Sequence, residues 1–415
     1  MTLRLSSLLT RLQPAGVILF ARNIQTAEQT WRLLRECQKC VATPLFTCVD
    51  LEGGTVDRFR DALGITPSAE EVFAAGDRKL YRRHGMLIGK NCRALGFNVD
   101  FAPVLDLAFE ASRKVMSSRV VADDPQSTVA YAREFLAGLR SANVLGCGKH
   151  FPGLGEGELD SHHKLPVIDK PLKRLWAEDL LPYRTLRRQL PFVMISHAAY
   201  PQVTRERTPA SLSTIWITDI LRKRIGYRNM IVSDDLEMGG VLAAASVGEA
   251  AVEFIRAGGD LCLVCHREDY IMNAYEELVK SGERDRKFAL RGGEAQRRVL
   301  AFKKKHADGG VRATRAPSAT TAVRDDFSCG VSAGHTGADS GVAVEEMDHR
   351  HFAQADRISK SGCVGRSRNG RSAGGGVGRR GRGGIHSRGR GFVPYLPSRG
   401  LHHERLRRAG KVCRA

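Results

Sequence analysis

Lys149-His150-Phe151-Pro152-Gly153 ends one apolar run, Gly146 to Phe151, and Ser233-Asp234-Asp235-Leu236 follows another, Met230 to Val232. In both places a short hydrophobic segment terminates in side chains that can titrate. Short runs rich in Val, Ile, Leu or Phe read as buried strands. Five more occur, at Gly16 to Phe20, Pro44 to Val49, Phe97 to Leu105, Phe192 to Ile195 and Asp260 to Val264. Between them lie amphipathic stretches of helical period, among them Ala27 to Lys39, Asp77 to Leu95, Ser127 to Ala142 and Thr214 to Ile225. Strand and helix in alternation mean parallel strands joined by crossover helices.

Most of the apolar runs end on a polar residue: Asn23, Asp50, Asp106, His150, His197, Asp234 and His266. An open doubly wound sheet gathers functional groups at one switch point, whereas a (β/α)8 barrel gathers them around a ring at the C-terminal ends of its strands. Polar ends on nearly every strand predict the barrel, an α/β fold. Helices at Tyr270 to Lys280 and Glu294 to Lys305 then close a domain over residues 1–308.

The chain has 415 residues and a formal charge of +20, of which about +12 lies after residue 308. Residues 309–415 lack helical or strand periodicity, and Gly370 to Gly391 is almost all Gly, Arg, Ser and Ala. Such a composition buries too little apolar surface to fold, so this segment reads as a disordered or out-of-frame tail. Its Arg379-Arg380-Gly381-Arg382 has the look of an RNA-binding tract, but only Phe392 and Tyr395 supply aromatic faces, and no nucleic-acid partner is expected. Cys48, Cys92, Cys147, Cys262 and Cys265 sit in apolar runs, as reduced buried thiols do, and Cys37-x-x-Cys40 has no second pair to make a zinc site. With no signal-peptide core and no membrane span, the sequence reads as a cytoplasmic, monomeric protein.

Two elements carry chemistry. Asp234, held by a strand and aimed into the mouth, suits a carboxylate nucleophile, while Asp235 suits a helix cap. In Asp160-Ser161-His162 the spacing lets the carboxylate set the tautomer of the imidazole and favour its protonated form, which makes a proton donor. Gly153, Gly155 and Gly157 make the loop before it supple. A phosphate-binding use of these glycines is disfavoured by Glu156 and Glu158. Trp31, Trp176 and Trp216 fall in helical stretches and read as packing residues. His197 reads equally as a pocket residue or a buried hydrogen-bonding one, and Asp106 as a residue that orders the mouth.

These motifs resemble the bacterial β-N-acetylglucosaminidases of glycoside hydrolase family 3. The resemblance extends through Gly16-Val-Ile-Leu-Phe-x-Arg22-Asn23, Val49-Asp50-x-Glu52-Gly53-Gly54-x-Val56-x-Arg58, Phe101-Ala-Pro-Val-Leu-Asp106, Leu165-Pro166 and Ser196-His197-x-x-Tyr200-Pro201, from about residue 10 to 306. It implies a retaining hydrolase that removes terminal β-linked N-acetylglucosamine from peptidoglycan fragments without a cofactor or metal. On matching positions Asp234 is the nucleophile and His162, oriented by Asp160, the acid/base. Asp50, Arg58, Arg119, Lys149 and His150 hold the sugar. The use of His departs from the usual two-carboxylate scheme. The family also begins with a strand where this chain has only Met1 to Ser7, so one barrel strand is expected to be missing. Two rival readings are another β-glycosidase specificity of the same family and a metal-dependent hydrolase built on His150, Asp160, His162 and Asp234, and Lys149 beside these groups argues against the second.

Overall fold

The computed structural model describes residues 1–157 and 165–310. Nine strands are present among them: β1 Gly16–Ile18, β2 Phe46–Val49, β3 Leu51–Gly53, β4 Val56–Asp57, β5 Val99–Asp100, β6 Leu145–Phe151, β7 Phe192–Ile195, β8 Met230–Asp235 and β9 Leu261–Leu263. Seven form one parallel sheet in the order β1-β2-β5-β6-β7-β8-β9, and β3 and β4 form a small antiparallel hairpin. The parallel order requires crossovers, and helices Ala27–Lys39, Arg78–Leu95, Pro125–Ser141 and Val247–Ala257 are among the helices that supply them.

Strand periodicity divides the core in two. Phe46, Cys48, Val99, Phe101, Cys147, Phe192, Met194, Met230 and Val232 point to the inside of the curled sheet and pack as one cluster. Their neighbours Val193, Ile195 and Ile231 point outward and pack under helices with Trp216, Ile217 and Phe254. The last helix, Arg286–Gly310, sends Val299 and Phe302 into the inner cluster. Phe302 meets Phe192 and Phe46 edge-on at centroid distances of 5.5 and 6.2 Å, which stoppers the N-terminal end of the strands.

No strand joins β1 to β9 among the described residues. Side chains bridge this seam instead. At the mouth Arg22 Nη2 donates to the Cys265 carbonyl at 3.1 Å, and the Phe20 and His266 rings lie 5.3 Å apart. On the outer wall helix Leu3–Leu12 pairs Arg4 with Glu268 at 2.6 Å and Arg11 with Glu276 at 3.9 Å. Thr2 caps that helix by accepting from the Leu5 amide, and Leu9 anchors it against Cys37, Val41 and Leu45.

All seven sheet strands fall within or against the apolar runs of the sequence, and Ala27–Lys39 has the expected bounds. One element differs in kind. Ile215–Arg224 is a π-helix, its wide turn closed by the Ile225 amide on the Ile220 carbonyl at 2.8 Å. Trp216, Ile217, Ile220 and Leu221 are buried along it, and Thr218 Oγ1 donates to the Ala257 carbonyl at 2.6 Å. Tertiary anchoring therefore sets the turn width, which hydrophobic spacing cannot report. Trp216 is fully buried, in keeping with a packing role. The expected disordered tail lies, from residue 311 on, outside the described residues. No helix among the described residues is long and apolar enough to cross a membrane.

Candidate active site

The C-terminal ends of β2, β5, β6 and β8 bring Asp50, Asp106, Lys149, His150 and Asp234 to one end of the sheet. Lys149 lies within β6 and is 2% exposed. A buried ammonium needs compensating charge. It finds two carboxylates, Asp50 Oδ1 at 2.7 Å and Glu52 Oε1 at 2.6 Å. Glu52 is also gripped by Arg119, with Nε to Oε2 at 2.7 Å and Nη2 to Oε1 at 2.9 Å, a two-pronged geometry that only a guanidinium supplies. Burial opposes charge on all three groups. The mutual attraction outweighs it, holding Glu52 well below the ordinary carboxylate range and Lys149 and Arg119 above their ordinary values.

The hairpin β3–β4 exists to present Glu52. Gly53 and Gly54 turn it with φ of +82° and +57°, and a Cβ on Gly53 would lie 2.0 Å from the Pro67 carbonyl oxygen. Asp57 braces the return by accepting from the Phe59 and Thr66 amides at 3.0 and 2.8 Å. Arg58 follows, half-buried, with its Nε unpaired and its guanidinium 6.0 Å from the Phe20 ring centroid. Among the described residues that Nε has no acceptor.

His150, next to Lys149, is fixed by Asp106. Oδ2 of Asp106 takes the His150 ring Nδ1 at 2.7 Å and its amide at 3.1 Å, while Oδ1 accepts from the Leu154 amide at 2.8 Å. The Nδ1 position thus carries the proton toward Asp106, which turns Nε2 away from it. On the neighbouring side His197, 1% exposed, bonds Ser211 Oγ through Nδ1 at 2.8 Å and the Asp235 carbonyl through Nε2 at 2.9 Å. Burial holds its pKa below the ordinary histidine value.

Asp234 sits near the end of β8 with one oxygen accepting from the Asp235 amide at 2.8 Å. Burial works against its ionisation, but the His150 and His197 imidazoles, the Asp235 amide and Lys149 more than compensate, and its carboxyl lies below the usual carboxylate value. At neutral pH it is an anion. Asp235 turns the other way, accepting from the Glu237 amide at 3.1 Å and pairing with His266 at 3.1 Å. The helix that follows, Gly239–Leu242, is preceded by Met238 as its N-cap, so Asp235 braces the turn before the helix rather than capping the helix.

Sequence reasoning named Asp50, Arg119, Lys149, His150 and Asp234, and these gather at one end of the sheet. It gave Glu52 no role, although Glu52 is the hub of the ion-pair network. The available signal was a carboxylate two residues beyond Asp50 in a Gly-Gly hairpin. Asp160 and His162 lie outside the described residues. An ionised carboxylate, a buried cation and oriented imidazoles at one end of the sheet can bind hydroxyl groups and attack an electrophilic carbon.

Known proteins resemble this chain in sequence and in fold. Residues 2–301 match the glycosyl hydrolase family 3 N terminal domain. The β-hexosaminidase of Bordetella parapertussis is 40% identical over 263 residues, covering 61% of this chain and 73% of its own. That of Bordetella avium is 38% identical over 271 residues, covering 63% and 77%. Among solved structures, a family 3 β-N-acetylglucosaminidase from Paenibacillus superposes with a TM-score of 0.74 at 33% identity, over 78% of this chain. This chain spans only 62% of that protein. NagZ from Neisseria gonorrhoeae, in complex with N-trifluoroacetyl-D-glucosamine, has a TM-score of 0.62 at 30% identity, covering 75% of this chain and 94% of its own.

Proposed function

The chain belongs to glycosyl hydrolase family 3 and is a glycoside hydrolase, and from that premise we propose that it is a β-N-acetylglucosaminidase acting on terminal residues of peptidoglycan fragments in the cytoplasm. Asp234 attacks the anomeric carbon while His162, oriented by Asp160, gives its proton to the leaving oxygen. Water then attacks the resulting glycosyl ester with His162 as base, and two inversions leave the configuration unchanged. Asp50, Arg58, Arg119, Lys149 and His150 serve the bound sugar. Lys149 and His150 contact it from β6, and Arg119 acts through Glu52.

The observation that carries this reading is that the ends of β6 and β8 bring Lys149, His150 and Asp234 to one end of the sheet, where the imidazole and the ammonium favour the anionic form of Asp234. A nucleophile must be anionic before substrate arrives, and its cationic and imidazole neighbours keep it so at the pH of the cell. Charge-assisted donors around it match sugar hydroxyls and an acetamido group. The names of the similar proteins, β-hexosaminidase and β-N-acetylglucosaminidase, support the same substrate class.

The test is to incubate the protein with a fluorinated N-acetylglucosaminyl donor that forms a glycosyl-enzyme faster than it is hydrolysed, and to map the adduct by peptide mass. An adduct on Asp234 is expected. Turnover of a chromogenic N-acetylglucosaminide with no adduct on any carboxylate would instead assign the attack to the substrate's own acetamido oxygen.

A further inference from the structure

The end of the sheet opposite Asp234 contains a cavity of about 340 Å³ at the starts of β2 and β6, where Phe46 and Leu145 line it. Its charged lining is of one sign. Arg140, Arg188, Lys303, Lys305 and His306 all border it, and among the described residues no aspartate or glutamate does. Arg140, Arg188 and Lys305 are exposed at the rim, whereas Lys303 is only 6% exposed.

Lys303 is the unusual member. Every other deeply buried lysine described here is matched by carboxylates: Lys149 by Asp50 and Glu52, Lys170 by Asp179, Glu178 and Glu156. Among the described residues the Lys303 ammonium has the Thr43 hydroxyl at 3.3 Å and the face of Phe46, its centroid 5.1 Å away, and no carboxylate. Burial with no carboxylate to offset it pushes its pKa down to about 8. His306, a turn further along the helix, is held down by burial and by Lys305. An uncompensated buried cation is costly, and a counter-anion seated against it would recover that cost.

We propose that this cavity binds a small polyvalent oxyanion of the phosphate class, a diphosphate or phosphate ester, with Lys303 as the floor contact and Arg140, Arg188 and Lys305 as rim contacts. Guanidinium forks at the rim suit planar pairs of phosphoryl oxygens, and an ammonium at the floor suits a single one. The volume is at the small end of ligand pockets and larger than one orthophosphate fills. Because it lies at the N-terminal ends of the strands, this site is separate from the hydrolytic one, and its occupant bears on stability and regulation rather than on the sugar.

The test is calorimetric titration of the full chain with pyrophosphate, and with orthophosphate, at constant ionic strength. Saturable one-site binding is expected, tighter for pyrophosphate. Lys303→Met weakens it tenfold or more, and so does Arg140→Gln/Arg188→Gln, whose exposed positions leave folding intact. A purely structural lysine would destabilise the protein on removal. Here Lys303→Met raises the melting temperature of the ligand-free protein and abolishes the further rise that pyrophosphate gives the parent. The absence of saturable binding, or binding unchanged in both variants, would overturn the proposal.

Discussion

One carboxylate oxygen of Asp106 binds His150 twice, through the ring Nδ1 at 2.7 Å and the main-chain amide at 3.1 Å. Both partners are buried, at 1% and 6% exposure, so neither contact is shared with solvent. Asp106 ends the segment after β5 and His150 belongs to β6, and the pairing therefore ties two adjacent strand ends together at the mouth.

Asp106→Asn keeps the shape but removes the charge that fixes the imidazole. The expected result is a roughly tenfold to hundredfold fall in kcat/KM on a chromogenic N-acetylglucosaminide, the scale of one charge-assisted hydrogen bond of about 1.5–3 kcal/mol. Steady-state kinetics decide it. Unchanged kcat/KM in a folded Asp106→Asn protein would remove His150 from the substrate site.

Asp234→Ala deletes the proposed nucleophile. Activity on the same substrate is expected to fall by about 10³-fold or more, about 4 kcal/mol in barrier height. The melting temperature should fall only slightly at neutral pH, since the attractions to His150, His197 and Lys149 exceed the cost of burial and their loss removes a net stabilising charge. Parallel kinetics and thermal melts separate loss of chemistry from loss of fold.

His84 supplies a pH dependence of stability. It is fully buried, its Nδ1 lies 2.9 Å from the Tyr131 hydroxyl, and burial lowers its pKa from 6.5 to about 4. The unfolded chain thus takes up a proton that the folded one refuses. Stability is full above pH 6.5 and is lost as pH falls from there toward 4. By pH 5 the loss from this residue is about 2 kcal/mol. Urea midpoints measured from pH 7.5 to 5 should show this slope, and His84→Gln should flatten it.

Asp260 secures the last helix. Fully buried as a side chain, it accepts from the Ile231 amide at 2.9 Å, pairs with Arg222, and receives Arg298 at 2.7 Å and Arg291 at 3.4 Å. Asp260→Ala strands these guanidiniums beside the buried start of β8. A loss of about 3–5 kcal/mol is expected from removing one partner of a buried charge cluster. Denaturant unfolding measures it, and a loss under about 1 kcal/mol would mean that water replaces the carboxylate.

The sequence by itself determined the alternation of strand and helix, the seven parallel strands and the place of Asp50, Lys149, His150 and Asp234 at strand ends. These are local properties: hydrophobic period and the polar residue that stops it are written in consecutive residues. Tertiary structure alone decided the rest. Glu52 became the hub between Lys149 and Arg119 because a hairpin folded a carboxylate 97 positions away from its lysine into contact with it. The π-turn at Ile215–Arg224 follows from what its side chains are packed against. The β1–β9 seam is closed by Arg22, Phe20 and the outer salt bridges rather than by a ladder. Lys303 is buried with no carboxylate among the described residues because the last helix stoppers the sheet, and pairing at that range depends on geometry that no stretch of sequence contains.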